Sequence, residues 1–129
     1  MAFLANVKAD VLFLQECGIP HLSSYRRWSS LWAHGPSVWS GGNDSRAFGL
    51  AILLQGGNFT ISEVKEVVDR RLLIANVMYR NAPLRLINVY APVGKSERMA
   101  VLQQLPLLLA TSRPVILAGD FNCIIDADG

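Results

Sequence analysis

The chain has 129 residues, a formal net charge of +2, a hydrophobic fraction of 51% and a charged fraction of 17%. These values suit one globular domain over residues 1–129 and exclude a disordered chain. No apolar run reaches the length of a membrane span, and the two cysteines, Cys17 and Cys123, make neither a disulfide scaffold nor a four-cysteine zinc site. A sequence pI of about 8.7 permits a phosphate-rich partner without demanding one. Sparse cysteine use points to a reducing, intracellular setting.

In chain order, residues 1–8 read as the end of a helix that feeds a first strand, Asp10-Val11-Leu12-Phe13-Leu14-Gln15-Glu16. A similar segment, Pro114-Val115-Ile116-Leu117-Ala118-Gly119-Asp120, comes near the end. Both are continuous apolar runs closed by an acid, a pattern expected of strands buried on both faces. Between them, Phe48–Leu54 reads as a strand bounded by glycine-rich turns, and Phe59–Val67 is expected to pair with it. Leu72–Tyr79 and Leu84–Tyr90 read as a hairpin turned by Arg80-Asn81-Ala82-Pro83. From Ser96 to Ala110, Met99, Leu102, Leu105 and Leu109 have helical spacing. Ser96 is the expected N-cap, and Pro106 should kink or shorten the helix. The order implies a mixed α/β fold rich in sheet.

Three places can carry chemistry. Glu16 ends an apolar strand; it either marks where that strand reaches water or holds a hard cation, which takes oxygen ligands. In Asp120-Phe121-Asn122, an extended backbone would point Asp120 and Asn122 the same way, one to bind a metal or accept a proton, the other to donate an amide N–H to a phosphate. An Asx turn closing the strand explains the same tripeptide. Preceding Gly119 lets backbone or ligand come close. Tyr90, in Asn88-Val89-Tyr90-Ala91-Pro92, is either a rim tyrosine or a hydroxyl for a scissile phosphate. Arg26, Arg27, Trp28 and Trp32 mix basic and aromatic residues as nucleic-acid surfaces do, although a loop with buried tryptophans fits as well. His21 and His34 read as loop residues.

A QE-terminated strand, a strand ending NVYAP, a helix and a strand ending GDFN together resemble the endonuclease/exonuclease/phosphatase superfamily, from about Ala9 to Gly129. The stretches LINVYAPVGKSER and PVILAGDFNCIID are most similar to endonuclease domains of non-LTR (LINE-type) retrotransposons. The resemblance implies a partial αββα two-sheet sandwich and Mg²⁺-dependent hydrolysis of DNA phosphodiesters, with Mn²⁺ as an alternative metal. It implies metal binding by Glu16, water activation by Asp120, phosphate contact by Asn122, and Tyr90 near the scissile phosphate. DNA is the implied partner, in the nucleus; neither a membrane nor a stable protein partner is implied. The family's first strand, with its metal-site asparagine, is expected before Met1, and its later aspartate and histidine after Gly129. The domain is therefore expected to be incomplete at both ends and its activity negligible. A non-catalytic retroelement remnant that binds nucleic acid weakly, and a phosphatase or phosphodiesterase of the same superfamily, are the competing readings.

Overall fold

The computed structural model describes residues 10–15, 32–40, 49–68 and 71–122. Two sheets face each other. The first has the order β1 (Val11–Leu14), β3 (Leu50–Leu54), β2 (Ser37–Ser40), all antiparallel. The second runs β4 (Phe59–Val67), β5 (Leu72–Tyr79), β6 (Ala82–Tyr90) antiparallel, with β7 (Val115–Asp120) parallel to β6. Parallel strands need a long connection, and here it is made by two short helices, α1 (Lys95–Leu102) and α2 (Leu105–Leu109).

Side-chain alternation sorts the second sheet into two apolar faces. Leu73, Ala75, Val77 and Leu86 face the first sheet and pack with Val38, Leu50, Ile52 and Leu54. Leu72, Ile74, Ile87 and Val89 face the helices and pack with Val101 and Leu108. The first sheet is covered on its outer side as well, where Trp32 and Trp39 meet Ala51 and Leu53. Layered burial of this kind gives the mixed α/β, two-sheet sandwich that the sequence implied.

Four expectations need correction. Phe59–Val67 does not pair with the preceding strand: β3 lies between β1 and β2, and β4 pairs with β5. The turn through Gly56, with φ of 95°, carries the chain from one sheet to the other. All of β3 is buried, whereas Ser62 to Glu66 of β4 are exposed, so the two strands belong to different environments. The second correction is β2, a strand not anticipated from the short Ser-Val-Trp-Ser segment.

Thirdly, β1 and β7 are half-buried or exposed, because each is the outer strand of its sheet among the described residues. Lastly, the helix is divided. Pro106 has no N–H to continue the first helix and sits in the opening turn of the second. Gly94, not Ser96, is the N-cap of α1, and the Ser96 hydroxyl donates to Glu97 Oε2 at 3.2 Å. The β5–β6 hairpin does form, but with a two-residue turn: Arg80 and Asn81 take φ of 50° and 67°, so β6 begins at Ala82. Pro83 is accommodated there because β7 reaches only as far as Arg85. Residues 1–8 lie outside the described residues.

Candidate active site

The register of the second sheet places three strand ends in a row. Tyr90 is the partner of Asp120, and the Tyr90 N–H donates to the Arg71 carbonyl at 2.8 Å. The Ala91 N–H donates to the Asp120 carbonyl, also at 2.8 Å. Arg71, Tyr90 and Asp120 therefore line the same end of β5, β6 and β7. Tyr90 packs against the core between the sheets, and its alternation partner Asn88 lies on that same face.

Asp120 is exposed, and its Oδ1 accepts the N–H of Asn122 at 3.0 Å. This is an Asx turn, the simpler of the two readings of the tripeptide. Because Asn122 has φ of 48°, the extended-chain argument for a shared direction does not hold there. Its side chain is fixed differently: Nδ2 donates to the Ala91 carbonyl at 2.6 Å. One N–H of the carboxamide is thus used, and a second remains for another acceptor. The Asx turn fixes the Asp120 carboxylate while engaging only one of its oxygens. Phe121 packs into the helix-side core.

Gly119 has φ of 142°, and a Cβ there would run into the backbone of Val89. The close approach is thus between β7 and β6. Tyr90 carries the Arg71 guanidinium 5.1 Å from its ring centroid, within cation–π range. The sequence presents Arg71 only as a charged turn; a basic residue just before a strand carries no sign of which ring it will cover.

Glu16 lies outside the described residues. Gln15, just before it, is placed by a bond the sequence did not reveal. Gln15 Nε2 donates to Asn88 Oδ1 at 2.8 Å, and Asn88 Nδ2 donates to the carbonyls of Leu14 and Ala51, each at 2.9 Å. Asn88 is fully buried and joins the two sheets. An asparagine among Leu86, Ile87 and Val89 was the available signal, since a buried polar group has to find partners. Replacing it with an apolar residue would leave those buried carbonyls short of a donor, at about 1–3 kcal/mol each.

Other candidates lie elsewhere. His34 is exposed beside Trp32 and its carbonyl accepts from Gly56, at the end of the first sheet opposite Gln15. Trp32 is buried with Nε1 donating to the Leu54 carbonyl at 3.0 Å, so it offers no face to a base. Arg26, Arg27, Trp28, His21, Cys17 and Cys123 lie outside the described residues. A hollow of about 170 Å³ under α2, lined by Glu63, Lys65, Asn76 and Arg85, opens on the helix side of the sheet and not at this row. No helix among the described residues is long and apolar enough to cross a membrane.

This two-sheet frame is shared with known proteins. The family model for the endonuclease/exonuclease/phosphatase family matches residues 1–129. The chain belongs to that family. Among solved structures, D. rerio TDP2 complexed with single-strand DNA product is similar, with 26% identity and a TM-score of 0.68 over 98% of this chain and 53% of that one. A humanized D. rerio TDP2 carrying 14 mutations gives 25% identity and a TM-score of 0.69, covering 95% of this chain and 56% of the other. An AP endonuclease from Archaeoglobus fulgidus shares the fold at 21% identity and a TM-score of 0.61, over 94% of this chain and 50% of its own. The chain thus spans about half the length of these relatives. Comparison with curated proteins found no match.

Hard divalent cations take oxygen ligands, and the donor at the row, the Asp120 carboxylate, suits one. Among the described residues no three His, Cys, Asp or Glu side chains come together.

Proposed function

We propose that this chain carries part of the active site of an endonuclease that hydrolyses DNA phosphodiesters with Mg²⁺, or Mn²⁺ in its place, of the type found in non-LTR retroelements. The observation that carries this reading is the Asp120–Asn122 turn beside Tyr90, at the sheet end where Asn88 bonds Leu14, the last residue of β1, and Gln15 after it. Family membership supports hydrolysis, and the D. rerio TDP2 complex with single-strand DNA product supports DNA as substrate. The retroelement assignment rests on LINVYAPVGKSER and PVILAGDFNCIID. Activity on DNA puts the protein inside the cell, in the nucleus.

The roles follow from donor chemistry. Glu16 and Asp120 would supply the carboxylate oxygens that hold the cation, which when bound offsets charge developing on the phosphate. Asp120, with one oxygen engaged by the Asx turn, would turn the other toward the cation and the attacking water. Asn122 donates its remaining amide N–H to a phosphate oxygen, and the Tyr90 hydroxyl donates to another. Arg71, lying over the Tyr90 ring, restrains the ring and adds positive charge near the phosphate path. We also propose that turnover by this chain is low, since no histidine among the described residues stands at the row to protonate the leaving oxygen.

The test is binding of a fluorescent single-stranded oligonucleotide by this chain with and without Mg²⁺, alongside plasmid nicking. Mg²⁺ should strengthen binding by the parent, leave Asp120→Ala unaffected, and produce no nicking above background. Equal binding with and without Mg²⁺ would remove the metal-site reading. Nicking abolished by Asp120→Ala would overturn the low-turnover statement.

A further inference from the structure

The site as proposed joins the chain that follows β1 to the strand ends of the second sheet, so something has to fix the offset between the two sheets. Apolar packing between sheets is weakly directional: side chains such as Leu50, Ile52, Leu73 and Leu86 set the spacing but tolerate small slides. Hydrogen bonds are directional, and those of Asn88 lie close to where β1 ends.

We infer that Asn88 is the positioning residue of the site, the buried carboxamide that sets where β1 delivers its last residues relative to Tyr90 and Asp120. Its polar atoms are committed to the opposite sheet, Nδ2 to the Leu14 and Ala51 carbonyls and Oδ1 to the Gln15 amide. Leu14 and Ala51 are themselves register partners. Asn88 therefore grips the β1–β3 pair at the rung where β1 ends, while its own strand reaches Tyr90 two residues later. Its register partner on β7 is Ala118, two residues before Asp120. One side chain thus refers both β6 and β7 to the end of β1. Alternatives serve less well at this place. Leucine would fill the space without direction; aspartate would accept from Gln15 but could not donate to the two carbonyls.

This inference rests on the proposed reading that a cation is shared between Asp120 and the glutamate that follows Gln15. Its test is a Mg²⁺ titration followed by the backbone amide NMR signals of Asp120, Phe121 and Asn122, in the parent, Asn88→Leu and Gln15→Leu. Gln15→Leu keeps the two bonds from Asn88 to Leu14 and Ala51, so the fold survives even if Asn88→Leu does not. In the parent these signals should shift together with Mg²⁺. Both variants should retain the dispersed signals of β4, β5 and α1, yet bind Mg²⁺ about tenfold or more weakly, as loss of ligand-orienting contacts does. A purely structural role would lower thermal stability and leave Mg²⁺ affinity unchanged in the folded variants; that result overturns the inference alone. No Mg²⁺ response in the parent would overturn the site reading and the inference with it.

Discussion

At Gly119 the chain accepts a backbone conformation that side chains rarely adopt, and in return β7 lies directly against the backbone of Val89. Any Cβ at this position meets main-chain atoms that cannot move aside. We expect Gly119→Ala to cost about 2–3 kcal/mol, from the strained conformation together with the clash, as measured by urea denaturation. A loss below about 0.5 kcal/mol would show that β7 can shift without consequence. Asn122 poses the opposite case. It adopts a positive φ with a side chain present, which asparagine tolerates better than most residues. Its amide then bridges to the Ala91 carbonyl, so the turn after Asp120 is held from both strands. The motif GDFN stood out as a candidate, but its geometry was not legible: spacing of two along an extended chain does not describe a strand that has just ended.

The element that places Tyr90 is the β5–β6 hairpin. Its two-residue turn sets the register of the whole ladder, Tyr79 to Ala82 at one end and Leu72 to Val89 near the other. A slip of one residue would turn Tyr90 away from the inter-sheet face. Asn81, at φ of 67°, holds that turn, and Asn81→Val places a β-branched residue in the left-handed region. We expect a loss of about 1–2 kcal/mol in chemical denaturation, while Asn81→Gly should be neutral or slightly stabilising. An Asn81→Val protein as stable as the parent would mean the turn does not set the register. This hairpin was readable because two apolar runs flank a short polar break. The pairing of β3 with β1 and β2 was not, because continuous apolar strands carry no mark of which neighbour they choose. Nor was the division of the helix fully readable: Pro106 announced a break, but the second helix depends on Leu105 and Leu108 reaching the core that Ile87 and Val89 present.

Taken whole, the molecule is two sheets whose facing sides are apolar in the middle and polar toward one end. There Asn88 and Gln15 cross the gap, and Tyr90 and Asp120 follow on the next rung. The alternation that buries Leu73, Ala75, Val77 and Leu86 also dictates which residues reach that end. The fold class and most of the strands were therefore legible from hydrophobic periodicity and turn residues. Asp120, Asn122 and Tyr90 were legible as candidates because polar residues at strand ends stand out against apolar runs. The contacts of Asn88 and Arg71 were not, since their partners lie on other strands or in the opposite sheet, although a polar Asn88 within an apolar run did signal that it must find partners.

The account depends on two carboxylates distant in sequence, Glu16 and Asp120, acting on one ion. A double-mutant cycle tests this directly, with the Mn²⁺ dissociation constant measured by electron paramagnetic resonance for the parent, Glu16→Gln, Asp120→Asn and the double variant. If the acids share an ion, each single substitution weakens Mn²⁺ binding about tenfold, and the double variant is little worse than either, which is a coupling energy on the order of 1 kcal/mol. Independent, multiplicative losses, or an affinity indifferent to either acid, would contradict it.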